Sequence, residues 1–163
     1  RRIRQAGLTP AQVQVAWIKI ANKGPRGDLQ EHGRKLQADT VQVIRRAGER
    51  FPNLQIVYLS SRIYAGFANT ALNPEPYAYE GGFVARWIIL DQLKNEKPQP
   101  PLCLWGPYLW AGTTPRSDGL FWERGDFAAD GTHPSESGRR KVANLLLAFF
   151  TEDPLAKPWF VKQ

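Results

Sequence analysis

The stretch 126–150, DFAADGTHPSESGRRKVANLLLAFF, places an acid, Asp130, three positions before a histidine, His133. An imidazole serves as a general base only when its tautomer and orientation are fixed. A carboxylate that accepts from one ring nitrogen does both. The turn DGTHP brings the two side chains to the same side, Gly131 permits the bend, and Pro134 with Ser135 opens a helix that anchors it. An isolated Asp-x-x-His has a second reading, in which Asp130 caps the turn and His133 is an ordinary polar loop residue. The longer string DGTHPSESG, lying after an apolar strand and before a closing helix, is more specific than the pair alone.

The elements that must position this pair follow from apolar periodicity. VQVAWIKIA (13–21) reads as a strand ended by the turn chemistry of NKGPRGD. Asp28 caps a helix to about Arg50, with Leu36, Thr40, Val43, Ile44 and Ala47 at helical spacing. LQIVYLSS (54–61) is a buried strand running into an irregular stretch, and residues 82–94 form a helix apolar around most of its circumference. PLCLWGP (101–107) is a third strand, followed by a long loop and by a helix from about Ser135 to Thr151 with Val142, Leu145, Leu146 and Phe149 as its stripe. Trp159 and Phe160 in the tail are expected to pack back onto the body. This alternation predicts one α/β domain over 1–163, with parallel strands, right-handed crossovers and helices on both sheet faces. Ligands of such sheets bind at the carboxyl ends of the strands, so Asn22, Ser60, Ser61 and the loop after Trp105 should share one rim with the Asp–His turn.

On this string and this order of elements, the chain resembles the C-terminal part of the SGNH, or GDSL-type, hydrolases. The specific motif covers about residues 126–138, and the arrangement of elements covers nearly the whole chain. The resemblance implies a flavodoxin-like three-layer α/β/α sandwich and the hydrolysis of esters, often acyl or acetyl groups on lipids or carbohydrates. It implies His133 as general base and Asp130 as its orienting acid. It also implies a serine nucleophile just after the first strand, but neither a GDS block nor a GxSxG elbow occurs here.

Either Ser60 or Ser61 in YLSSR replaces that serine, or the nucleophile and the first strands lie in sequence outside these residues. A three-stranded sheet has about half the usual strand number, and the chain opens abruptly at RRIRQAGLTPAQ with no methionine. The second alternative is therefore the expectation, with an N-terminal segment or separate chain completing the sheet beside VAWIKIA. On this alignment Asn22 falls near the family's oxyanion-hole asparagine, although KIANKG stands where the family has GxND. An asparagine in a strand-exit turn is the alternative. Lys19 also points towards the rim in this reading, as a solvated side chain.

The loop WGPYLWAGTTPRSDGLFW gathers Trp105, Tyr108, Trp110, Phe121 and Trp122 with Arg116 and Asp118. Flat aromatic faces suit a sugar or aryl ester, and an arginine can grip a carboxylate with two N–H groups. Trp105, Tyr108, Trp110, Arg116 and Trp122 are thus candidates for substrate contact, with packing of the loop as the alternative for each.

Composition narrows the remaining classes. The net charge of +7 arises wholly from residues 1–50, which hold 11 Lys and Arg against 4 Asp and Glu. These charges are spread along helix-like sequence without a compact cluster, so a nucleic-acid-binding domain is a weaker reading than a solvated face. No apolar run approaches the roughly 18 residues of a membrane span. The single Cys103, within PLCLW, reads as a small buried hydrophobe. With two histidines, one of them on the first helix at His32, a zinc site is disfavoured, and serine acyl transfer needs no metal or organic cofactor. A catalytically inactive carbohydrate-binding module on the same fold is the rival from another class. The compartment stays open: there is no signal-peptide pattern, and the resemblance is compatible with an extracytoplasmic location.

Overall fold

The computed structural model describes residues 2–161. Three strands, β1 (Val15–Ile18), β2 (Ile56–Leu59) and β3 (Leu102–Trp105), pair in parallel in the order β1-β2-β3, with Ile18 beside Leu59 and Leu59 beside Trp105. They are joined by helices α2 (Leu29–Arg50) and α3 (Tyr77–Leu93), preceded by the short α1 (Arg2–Gln5) and followed by α4 (Glu136–Glu152) and α5 (Lys157–Phe160). Strands that step in one direction with crossovers of constant hand must carry both connecting helices on one face. Accordingly Ala16, Ile18, Val57, Leu59 and Cys103 pack with Leu36 and Ile44 of α2 and with Val84, Ala85 and Ile88 of α3.

Residues of the opposite parity serve the other face. Trp17 joins Val142 and Leu145 of α4 in a second cluster, and the Tyr58 ring meets Phe149 and Phe150 of α4 edge-on at 5.2 and 5.7 Å. The architecture is thus α/β with helices on both sides of a parallel sheet, a flavodoxin-like arrangement with fewer strands.

Local chemistry sets the helix starts. The Asp28 carboxylate accepts from Glu31 N at 2.9 Å, and the Ser135 hydroxyl from Gly138 N at 3.4 Å. Helix α3 begins at Tyr77, not at the expected residue 82. The Gly81–Gly82 pair reads as a breaker in sequence, yet Glu75 Oε2 accepts from Tyr79 N at 2.9 Å and tethers the first turn. His32, 5% exposed, lies 2.6 Å from Glu80 by its Nε2 and so pins α2 to α3.

The two sheet edges are finished differently. The Gln92 side chain of α3 reaches the outer edge of β3, where its Oε1 accepts from Cys103 N at 2.6 Å and its Nε2 donates to Cys103 O at 3.2 Å. One side-chain amide therefore does there what a neighbouring strand would do. On β1, the carbonyls of Gln14 and Ile18 accept from Ile56 N and Ser60 N of the β2 side. Alternation then turns the backbone groups of Val15 and Trp17 towards the outer edge, where no described residue pairs with them.

Cys103 is buried, and burial pushes its thiol up to about 11. The tail docks in part as expected. Ala156 is fully buried, the Leu155 carbonyl accepts from the Tyr58 hydroxyl at 3.0 Å, and the Phe160 ring lies 5.3 Å from Phe150. Trp159 and Phe160, however, remain 45% and 55% exposed.

Candidate active site

The Asp130–His133 turn is held by hydrogen bonds within its own few residues. Asp130 Oδ1 accepts from both Thr132 N and His133 N at 3.0 Å, while Oδ2 lies 2.5 Å from His133 Nδ1. One carboxylate therefore fixes the backbone and the ring together. Gly131 has φ +62°, and a Cβ there would fall 1.8 Å from Phe67 O, so both the left-handed conformation and the close approach require glycine. The His133 carbonyl accepts from Ala128 N at 2.8 Å, which closes the loop on itself.

Below the turn, α4 is nailed to the preceding segment. Ser135 donates its hydroxyl to Gly125 O at 2.8 Å, and Asp126, 1% exposed, accepts from Lys141 Nζ at 2.5 Å, Ser137 Oγ at 3.0 Å and Glu123 N at 3.1 Å. Burial alone would raise the Asp126 carboxyl, but Lys141 and these N–H and O–H donors outweigh it and hold it below the usual range. Asp130 is also held below that range, by the hydrogen bonds from the His133 ring, His133 N and Thr132 N in that order. An ionised Asp130 at Nδ1 places the imidazole proton there and leaves Nε2 as the basic nitrogen. The His133 side chain is 65% exposed, and among the described residues Nε2 has no hydrogen-bond partner.

The segment 62–76 joins this turn to the exit of β1. Asn69 N donates to Asp130 O at 3.1 Å and Asn69 Nδ2 to Ala129 O at 3.2 Å. Further along, Gly24 N donates to Leu72 O at 2.9 Å and Asn73 Nδ2 lies 3.5 Å from Asn22 O. The Asn22 turn and the Asp130–His133 turn thus bracket one loop. Asn22 Nδ2 itself is buried without an acceptor in hydrogen-bond range. The carboxylate that feels it is Asp39 of α2, which is held low chiefly by Lys35.

Ser60 and Ser61 do not meet His133. The Ser60 hydroxyl accepts from Trp17 Nε1 at 2.9 Å and donates to Pro107 O at 2.7 Å, and Ser61 Oγ accepts from Leu109 N and Trp110 N at 3.2 Å each. Both are buried and brace the loop after β3.

That loop divides the aromatic candidates. Trp122, a candidate for substrate contact by sequence, is instead 0% exposed: its Nε1 donates to Leu109 O at 3.0 Å, and it belongs to the core with Ile63, Leu109 and Phe127, out of reach of a substrate. Arg116 spends its fork inside the loop, with NH1 donating to Trp110 O at 2.6 Å, NH2 to Tyr108 O at 3.1 Å, and Nε and NH2 gripping Asp118 at 2.9 and 2.5 Å. This grip holds the Asp118 carboxyl down at about 2. Trp105 and Tyr108, by contrast, are 40% and 36% exposed and line an open groove of about 380 Å³ with Tyr79, Phe83 and Arg86. Trp110 is partly buried, gives its Nε1 proton to Glu75 at 2.9 Å and lies tilted at 56° against Tyr79, with ring centroids 4.7 Å apart. From there an aromatic series runs through Tyr64 (6.2 Å) and Phe67 (5.3 Å from Tyr64) to the backbone against which Gly131 packs.

Among the described residues no group of three or more His, Cys, Asp or Glu side chains gathers as a metal-ligand set, and no helix is long and apolar enough to cross a membrane. In comparisons with known proteins, no family model, no curated protein and no solved structure matches the chain.

Proposed function

We propose that this chain carries the acid–base pair of an SGNH-type serine esterase. The observation that carries the reading is the grip of Asp130 on His133, which fixes the Nδ1 tautomer and leaves Nε2 as a solvent-facing base. In the reaction, Nε2 takes the proton of a serine hydroxyl as it attacks the ester carbonyl, then returns it to the departing alcohol; water repeats the cycle on the acyl-enzyme. The buried, committed hydroxyls of Ser60 and Ser61 favour a serine from outside these residues.

The outer edge of β1 supports the same view, because the β3 edge is closed by Gln92 while the apolar β1 edge has no equivalent among the described residues. A strand laid there, from the same reading frame or another chain, would end at the rim that holds His133. The groove of Trp105, Tyr108 and Arg86 suits the acyl or glycosyl part of the substrate.

The test is p-nitrophenyl acetate turnover by the protein with whatever sequence precedes Arg1 in its reading frame, together with fluorophosphonate labelling to locate the serine. Loss of turnover in His133→Ala, with the label outside 1–163, is the expected result. Full turnover by His133→Ala refutes the assigned base. A second reading, a sugar-binding module without hydrolysis, draws on the exposed aromatic groove; it predicts oligosaccharide binding that Trp105→Ala abolishes and no labelling at all.

A further inference from the structure

The carboxyl rim holds two cations, Lys19 and Arg62, that make no ion pair among the described residues. Lys19 immediately follows β1, and Arg62 lies three residues beyond β2. Ser60 N donates to Ile18 O at 3.0 Å, so the pairing continues past the strand ends and sets Lys19 alongside Ser60. Alternation puts Lys19 on the Trp17 side of the sheet, the side that packs against Ile63, next to Arg62 in the chain.

Both side chains are partly buried. Among the described residues neither enters an ion pair. Arg62 Nε is wholly buried and has no acceptor. The carboxylate that acts on Arg62 is Glu75, which makes no ion pair with it and accepts instead from Ala65 N, Tyr79 N and Trp110 Nε1, each at 2.9 Å. Burial, and after it the charge of Arg62, pushes the Lys19 ammonium down to about 8; burial also lowers Arg62. Two like charges drawn partly out of water, with a guanidinium left unmet, are unfavourable unless something completes them.

We propose that Lys19 and Arg62 form a binding site for an oxyanion, a carboxylate or phosphate group, at the carboxyl rim of the sheet. Arg62 offers the planar fork that matches two oxygens, and Lys19 adds a point charge. Arg62 also opens the segment whose Asn69 bonds to Asp130 O and Ala129 O, so the site and the Asp130–His133 turn share one loop. Taken as the anionic end of a substrate, the site rests on the esterase reading and narrows it to anionic esters. As a binding site it stands without that reading.

The test is an NMR titration of the Arg62 Nε–H resonance in the whole chain with sodium phosphate and, separately, sodium acetate, at ionic strength held constant with chloride. A saturable shift in the range of about 0.1–10 mM is expected. It should weaken at least tenfold in Arg62→Gln and Lys19→Gln and persist in Lys35→Gln, whose ammonium pairs with Asp39 on the surface. Saturation by acetate assigns a carboxylate ligand, and saturation by phosphate alone assigns a phosphate.

Melting curves keep the proposal exposed to failure. Removing an unmet, partly buried cation should leave Arg62→Gln at least as stable as the parent in anion-free buffer, while abolishing stabilisation by the anion. No saturable shift with either anion up to about 50 mM overturns the proposal. So does a destabilised Arg62→Gln that still responds to the anion. His133→Ala should bind the anion normally, so a failed hydrolysis assay and a failed anion site are separate results.

Discussion

Asp130 grips His133 twice: one carboxylate oxygen lies 2.5 Å from the ring Nδ1 and the other accepts the backbone N–H of the same residue at 3.0 Å. The ring and its main chain therefore move together, and the carboxylate stays ionised because all of its partners donate to it. In Asp130→Asn the amide can present an N–H to Nδ1, which moves the ring proton to Nε2 and removes the base. On the proposed esterase reading, ester turnover should fall by about 10²–10⁴-fold with little change in KM. A pH–rate profile that is unaltered in this variant would show that the carboxylate does not orient the base.

Gly131 offers a direct test of how the turn is built. Gly131→Ala must adopt φ +62° with its Cβ against Phe67 O, so it should cost at least about 2–3 kcal/mol and loosen the His133 ring. Gly7→Ala, at φ +73° with nothing near its Cβ, should cost only about 1 kcal/mol. Denaturant titrations of the two variants compare them, and equal effects would remove the steric argument.

Asp126 controls the seat of α4. Asp126→Asn removes the partner of Lys141, whose side chain is 29% exposed and can regain some water, so a loss of about 1–3 kcal/mol is expected. The folded carboxyl is lower than the free one, so its contribution is present above the ordinary carboxylate range and disappears as pH falls through the folded value. Melting temperature in the parent should therefore drop in acid, and Asp126→Asn should blunt that drop. An acid profile shared by both proteins would assign the drop elsewhere.

Two tryptophans, one ending β3 and one in the loop after it, should separate cleanly. Trp122→Ala empties a core position and should cost about 3–5 kcal/mol. Trp105→Ala, at a 40% exposed residue of the groove, should change stability by less than about 1 kcal/mol while weakening the binding of aryl or glycosyl ligands severalfold. Isothermal titration with such ligands, alongside thermal melts, measures both effects.

The sequence by itself determined whatever depends on neighbours within a few positions. The Asp130–His133 bond, the Asp28 and Ser135 caps and the three apolar strands are interactions of this kind, and the residues that make them stand side by side in the chain. The parallel α/β class followed from the order of those elements, since crossover geometry leaves few alternatives.

Only the tertiary structure decided the rest. Trp105 ends β3 and Trp122 lies in the loop that follows, and packing against Ile63, Leu109 and Phe127 is what sends Trp122 inward. Glu75 starts α3 early because its oxygens also collect Trp110, 35 positions away, and Gln92 closes the β3 edge across 11 positions. Lys19 reads as a solvated side chain, yet the fold partly buries it within reach of the Arg62 charge. Burial and charge proximity are properties of surfaces that meet in space, so residues far apart in sequence acquire them only once the sheet has formed.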